Sequence, residues 1–198
     1  MSKAATLKKR AFPTRKLVFT ALMTALTVAA TVVLGFRTGD LFFNCGDTVI
    51  FVTAALLGPV PAMIAGGLGS FFADLAVYPA TMFFTLVIKG AEGLICGLLM
   101  RLFRTRNRGK ILAPLTGGAS MLAGGAFMML GYFICNSFIY GTPVSALAAL
   151  PADAVQASLS VAVACVLLYV MRLDALRVRF RLSEEKYPAA VPYIREKR

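Results

Sequence analysis

Apolar positions along this chain fall in long runs separated by short polar or Gly/Pro joints. Runs of that kind predict membrane-spanning helices, because a span needs roughly 20 largely apolar residues. The first run is Leu17–Gly35. It exceeds the ~7–15-residue core of a signal peptide, so it reads as a retained first helix. A polar stretch, Phe36–Gly46, then carries the turn-like Gly39-Asp40 and Cys45-Gly46-Asp47. A short second helix is expected from Asp47 or Thr48 to Leu57, only ~15 Å long at 1.5 Å per residue. Gly58-Pro59-Val60-Pro61 turns the chain, and a third helix runs from about Val60 to Val77, with Gly66, Gly67, Gly69 and Ser70 thinning its middle.

Tyr78-Pro79 marks another turn before a fourth helix, Thr81–Phe103, in which Gly93 and Gly97 form a GxxxG step. Small residues at that spacing let helix backbones approach closely. A fifth helix lies within Ile111–Tyr140, expected from near Thr116, after Pro114, to near Asn136. Gly141-Thr142-Pro143 opens a loop, and a sixth helix runs from Pro151, a favoured first-turn residue, to about Met171. The pattern divides the chain into a basic segment 1–16, a membrane domain 17–172 and a basic, polar tail 173–198 of the composition found in disordered termini.

Charge orients these spans. Of 21 Lys and Arg, six precede the first run, five fall between Arg101 and Lys110, and eight follow from Arg172 onward. Six spans put all three clusters on one side, which the positive-inside rule makes cytoplasmic. The fold class is therefore an all-α integral membrane protein of six transmembrane helices with both termini in the cytoplasm. The net charge of +12 is explained by this distribution. No soluble basic domain presents it to nucleic acid.

At 59% hydrophobic in 198 residues, the chain leaves no room for a soluble enzyme domain. It holds no His, the commonest transition-metal ligand and usual general base, and no metal site or cofactor is assigned. No phosphate-binding P-loop, Gly-x-Ser-x-Gly elbow or HExxH is present. Cys45, Cys96, Cys135 and Cys165 lack paired spacing and read as small apolar packing residues. A Cys45–Cys135 bridge on the outer side is the alternative, with nothing in the spacing to support it.

The informative residues are the polar ones inside oily runs. Lys89 and Glu92 share a helix face, and each costs roughly 2.5–3.5 kcal/mol at mid-bilayer. They must face protein or water. A structural Lys89–Glu92 ion pair, with Asp74 as a further carboxylate, stands beside a ligand-contact role for Lys89. Asp47 reads either as the cap of the second helix or, with Asn44, as part of an outer mouth. Asp153 has a helix-dipole explanation. Gln156 has none, and an amide suits heterocycle recognition. Tyr78, Tyr132 and Tyr140 fit an interface belt or a stacking role. Asn44, Asp47, Asp74, Lys89, Asn136 and Gln156 all map to the outer half, which predicts an outward-facing pocket for a small polar or aromatic solute. On the first helix, Ala21, Ala25 and Ala29 make a small-residue face for close helix packing.

Several pieces, in order, resemble the substrate-binding (S) components of energy-coupling factor (ECF) vitamin transporters, closest to the riboflavin-transporter-like group. They are Gly46-Asp47, Leu57-Gly58-Pro59, Gly67-Leu68-Gly69-Ser70 with Asp74, and Thr85-Leu86-Val87-Ile88-Lys89-Gly90-Ala91-Glu92-Gly93. The resemblance spans about Leu17 to Arg172. It implies a six-helix subunit in a prokaryotic cell membrane that captures a vitamin or precursor outside. Such a subunit docks with one transmembrane coupling protein and two ATPases, so ATP is used by partners and the chain itself is not an enzyme. In that family an Ala-x-x-x-Ala face on the first helix meets the coupling protein, and here Ala21 and Ala25 match it, with Ala29 extending the face. Riboflavin, a pyrimidine precursor or a B6 vitamer is compatible as solute. Alternatives outside this resemblance are a stand-alone carrier, a membrane scaffold whose polar residues are structural, and a small membrane enzyme using Asp and Lys.

Overall fold

The computed structural model describes residues 14–38, 41–106, 112–139, 143–173 and 176. Most of the segment 1–16 and of the tail 173–198 lies outside these residues. Helix α1 spans Thr14–Val33, starting three residues before the apolar run does. The polar stretch after it holds a small antiparallel hairpin, β1 (Phe36–Thr38) against β2 (Leu41–Phe43), in register Phe36↔Phe43, where an open loop was expected. Helix α2 spans Gly46–Leu57 and helix α3 Pro59–Val77. The joint between them is Gly58 alone, at φ 94°. That left-handed backbone suits glycine, which has no Cβ to clash.

A 3₁₀ turn at Pro79–Thr81 leads into α4, Met82–Arg106. Helix α5 spans Leu112–Ile139, four residues longer at its start than expected. Pro114 does not delay it, because the first turn has no intrahelical use for the missing N–H. The loop expected after Tyr140 contains a one-turn helix α6, Pro143–Leu147. Helix α7, Leu150–Cys165, continues as a π turn through Val170.

Five of these helical segments are long and apolar enough to cross a membrane, and α2 is a shorter apolar helix among them. Their outer faces carry large exposed apolar side chains such as Leu22, Phe72, Phe83, Val87, Leu130 and Leu159. A water-facing surface would not tolerate such a belt, so it faces lipid and the protein is multi-pass. Helix α2 occupies the middle, with ten of its 12 residues buried. It packs against α1, α3, α4 and α7, and Ile50 and Phe51 are wholly enclosed.

Glycines set the tightest crossing, between α3 and α4. A Cβ on Gly66 would lie 2.6 Å from the Lys89 carbonyl oxygen, and one on Gly97 2.5 Å from Pro59 Cα. A Cβ on Gly93 would collide with the Ala62 carbonyl oxygen. The GxxxG step of the fourth helix is thus the contact surface that seats Lys89 against α3.

Candidate solute-binding cavity

A cavity of about 320 Å³ opens at one end of the bundle. Its walls come from the ends of six helices. Thr31 ends α1, Asn44 precedes α2, and Ser70, Ala73 and Asp74 lie in the last turns of α3. Thr85 and Lys89 face it from the first turns of α4, Tyr132 and Asn136 from the last turns of α5, and Asp153 and Gln156 from the start of α7. The basic residues Arg101, Arg104 and Arg106 are in the last turns of α4 and so at the opposite end of the bundle.

The innermost wall is a buried polar circuit. The Lys89 side chain is 3% exposed and its ammonium donates to Asp47 Oδ1. It also lies 3.1 Å from Glu92 Oε2, one turn on. The other Asp47 oxygen, Oδ2, accepts from Gln156 Nε2 at 2.8 Å. Gln156 Oε1 in turn accepts from the Asn44 backbone N–H at 3.3 Å and from Asn44 Nδ2 at 3.4 Å. Asn44 Oδ1 accepts the Gly46 N–H at 2.9 Å. Each member holds the next, as a buried charge requires.

This circuit corrects two expectations. The carboxylate that joins Glu92 on Lys89 is Asp47, not Asp74, whose Oδ2 accepts from Thr81 Oγ1 at 3.2 Å. Asp47 is neither a helix cap nor a mouth residue. Cys45 occupies the cap position without a side-chain hydrogen bond, and Asp47 sits one position into the first turn of α2, fully buried. Of the six residues expected in the pocket, Asn44, Asp74, Lys89, Asn136 and Gln156 line the cavity, and Asp47 lies behind the lining.

Tyr132 forms a second wall. Its ring centroid is 5.5 Å from Lys89 Nζ, within cation–π range, and its hydroxyl donates to Thr85 Oγ1 at 3.3 Å. Tyr78 also lines the cavity. Tyr140 lies outside the described residues.

Four hydroxyl-bearing lining residues carried no pocket signal in the sequence, Thr31, Ser70, Thr81 and Thr85, and Asp153 was read as a dipole residue. The hydroxyls resemble the many threonines that cap their own helix carbonyls, as Thr20 and Thr27 do here. Asp153 was legible through its i, i+3 relation to Gln156, which puts both on one helix face. Its Oδ2 is buried and makes no hydrogen bond.

All four cysteines are free thiols, so no Cys45–Cys135 bridge is present. Ala21, Ala25 and Ala29 are exposed along α1, while Thr20, Thr27 and Thr31 turn inward. Among the described residues no cluster of potential ligands is arranged for a metal ion.

The family model described as ECF-type riboflavin transporter, S component, matches residues 11–173. The chain belongs to this S-component family. A Pyrococcus woesei protein described as "Uncharacterized protein in gap 3'region" is 38% identical over 131 residues, covering 66% of this chain and 82% of that protein. A crystal structure of the S component for biotin from an ECF-type ABC transporter has the same fold. Its TM-score is 0.55 at 19% identity, over 78% of this chain and 90% of the other. S components are substrate-binding subunits of vitamin transporters, not enzymes. This S component keeps that six-helix membrane architecture.

Proposed function

We propose that this S component captures a vitamin or vitamin-precursor heterocycle in the cavity at the α1–α3–α5 carboxyl ends, and that riboflavin is the first compound to test. The observation that carries the reading is the convergence of Asn44, Asp74, Lys89, Asn136 and Gln156, from five separate stretches of chain, on one enclosed space. Buried polar groups held by one another and lining a cavity are the usual anatomy of a small-molecule site. A volume of about 320 Å³ is at the small end of the ~300–1,000 Å³ typical of such sites. The basic carboxyl end of α4, opposite the cavity, favours an outward-facing cavity in a prokaryotic plasma membrane.

In this reading the solute is delivered inward after docking with a coupling protein and two ATPases, which supply the ATP chemistry. The exposed Ala21, Ala25 and Ala29 face of α1 is the surface offered to the coupling protein. Small side chains let a second helix come close. Purification of the full chain, with mass spectrometry of any retained solute, tests the capture step. Equilibrium titration with riboflavin, an aminopyrimidine and B6 vitamers then ranks candidates. A bound heterocycle, and copurification with a coupling protein and two ATPases, is expected. Absence of any retained or titratable heterocycle overturns the reading in favour of a scaffold.

A further inference from the structure

We infer that the cavity selects a positively charged solute, a heterocycle bearing an amine or a quaternary ring nitrogen, and discriminates against carboxylic acids. The inference rests on the cavity being the solute site and names the class of solute it takes. Among the described lining residues the charged groups are one cation, Lys89, and two carboxylates, Asp74 and Asp153. Immediately behind them lie two more carboxylates, Asp47 and Glu92, both fully buried. Lys89 is already committed to that second pair, touching Asp47 and lying 3.1 Å from Glu92. It has no charge left over for an acid in the cavity.

The amide donors of Gln156 and Asn44 are engaged as well. Gln156 Nε2 is given to Asp47, and Asn44 Nδ2 to Gln156 Oε1. Thr31 Oγ1 is left as an unpartnered neutral hydroxyl, and the charged capacity that remains open is that of an acceptor. Asp153 Oδ2 is buried without a hydrogen bond. Asp74 receives the hydroxyl of Thr81 and lines the same cavity from α3 that Asp153 lines from α7. An anionic solute would add charge of the same sign to a low-dielectric space, whereas a cation supplies the missing counter-charge. Tyr132 and Tyr78 on the lining add aromatic faces, which attract cations as well as flat rings.

The test uses the full-length protein in detergent. Thiamin and pyridoxamine serve as cationic probes, riboflavin and pyridoxine as neutral ones, and biotin and nicotinate as acids. Calorimetric titration should rank the best cation at least about tenfold above every neutral or acidic probe. Asp74→Asn and Asp153→Asn should each weaken that cation by about 10–100-fold, the range for a hydrogen bond to a charged group. Size-exclusion elution and thermal unfolding confirm that the variants fold, and the wild-type ranking needs no variant. Riboflavin or an acid binding tightest, or folded Asn variants with unchanged affinity, overturns the charge preference and leaves the capture reading standing. If no probe binds, the charge of the solute retained through purification decides. If nothing is retained either, capture itself fails, and the preference with it.

Discussion

Gln156 donates from Nε2 to Asp47 Oδ2 across 2.8 Å, joining the second turn of α7 to the first turn of α2 over 109 positions of sequence. Because the other Asp47 oxygen holds Lys89, this one carboxylate ties α2, α4 and α7 together beneath the cavity. Removing it leaves both donors buried without their acceptor. Asp47→Ala should destabilise the protein by about 3–5 kcal/mol, the cost of breaking a buried charge pair, and abolish solute binding. Thermal unfolding in detergent, alongside titration, checks both. Asp47→Asn, which keeps an acceptor for Gln156, should lie between wild type and Ala.

Lys89 faces two carboxylates, so its loss leaves both without a cation. Lys89→Met should destabilise by about 3–5 kcal/mol, because two buried carboxylates then repel with no cation between them. Adding Asp47→Asn and Glu92→Gln should recover a large part of the unfolding temperature. A triple variant no more stable than Lys89→Met would show that packing around the lysine stem, not charge, dominates at this position.

Glycines on α4 and α5 should respond in opposite ways. A Cβ at Gly93 would strike the Ala62 backbone, which cannot step aside without separating α3 from α4. Gly93→Ala should therefore cost about 1–3 kcal/mol and lower affinity by displacing Lys89. A Cβ at Gly118 meets nothing nearer than Cys165 Sγ at 3.8 Å. Gly118→Ala should be neutral or stabilise by about 0.5–1 kcal/mol through reduced chain entropy. Unfolding curves of the two variants separate these outcomes.

The α1 stripe gives a test that separates docking from folding. Ala21→Trp combined with Ala25→Trp should abolish uptake in cells while leaving solute affinity in detergent unchanged. Both side chains already face outward, so the enlarged residues need no room inside the bundle. Loss of binding together with uptake would assign the stripe to folding of this chain.

Thiol chemistry probes the cavity end. After denaturation, alkylation should add four adducts with or without reductant, since all four cysteines are free. In the folded protein Cys45, half-buried at the start of α2, should react well before the buried Cys96 and Cys135. Intact-mass measurement over time reads the order.

Much of this architecture is legible in the sequence. Membrane helices are specified by long apolar runs, and Lys89 with Glu92 was recognisable because one helical turn brings them together whatever the fold. The Asp47 partnership was not, since 42 positions separate it from Lys89 and only the crossing of α2 with α4 makes them neighbours. The same reason hides Thr31 and Thr85, whose hydroxyls say nothing at a distance. Asp153 was assigned to the helix dipole because a local explanation sufficed, although its neighbour Gln156 already marked that face as inward. The β1–β2 hairpin and α6 escaped because elements of three to five residues carry too few positions to establish a period.

Helix α2, with its 12 residues, is about 18 Å long at ~1.5 Å per residue. It is sheathed by its neighbours, so the bilayer never has to match its length, and thickness mismatch is borne by the five longer helices alone. On the proposed capture reading, a solute above its amino end rests on a plug of about 18 Å, against a hydrocarbon core of ~30 Å.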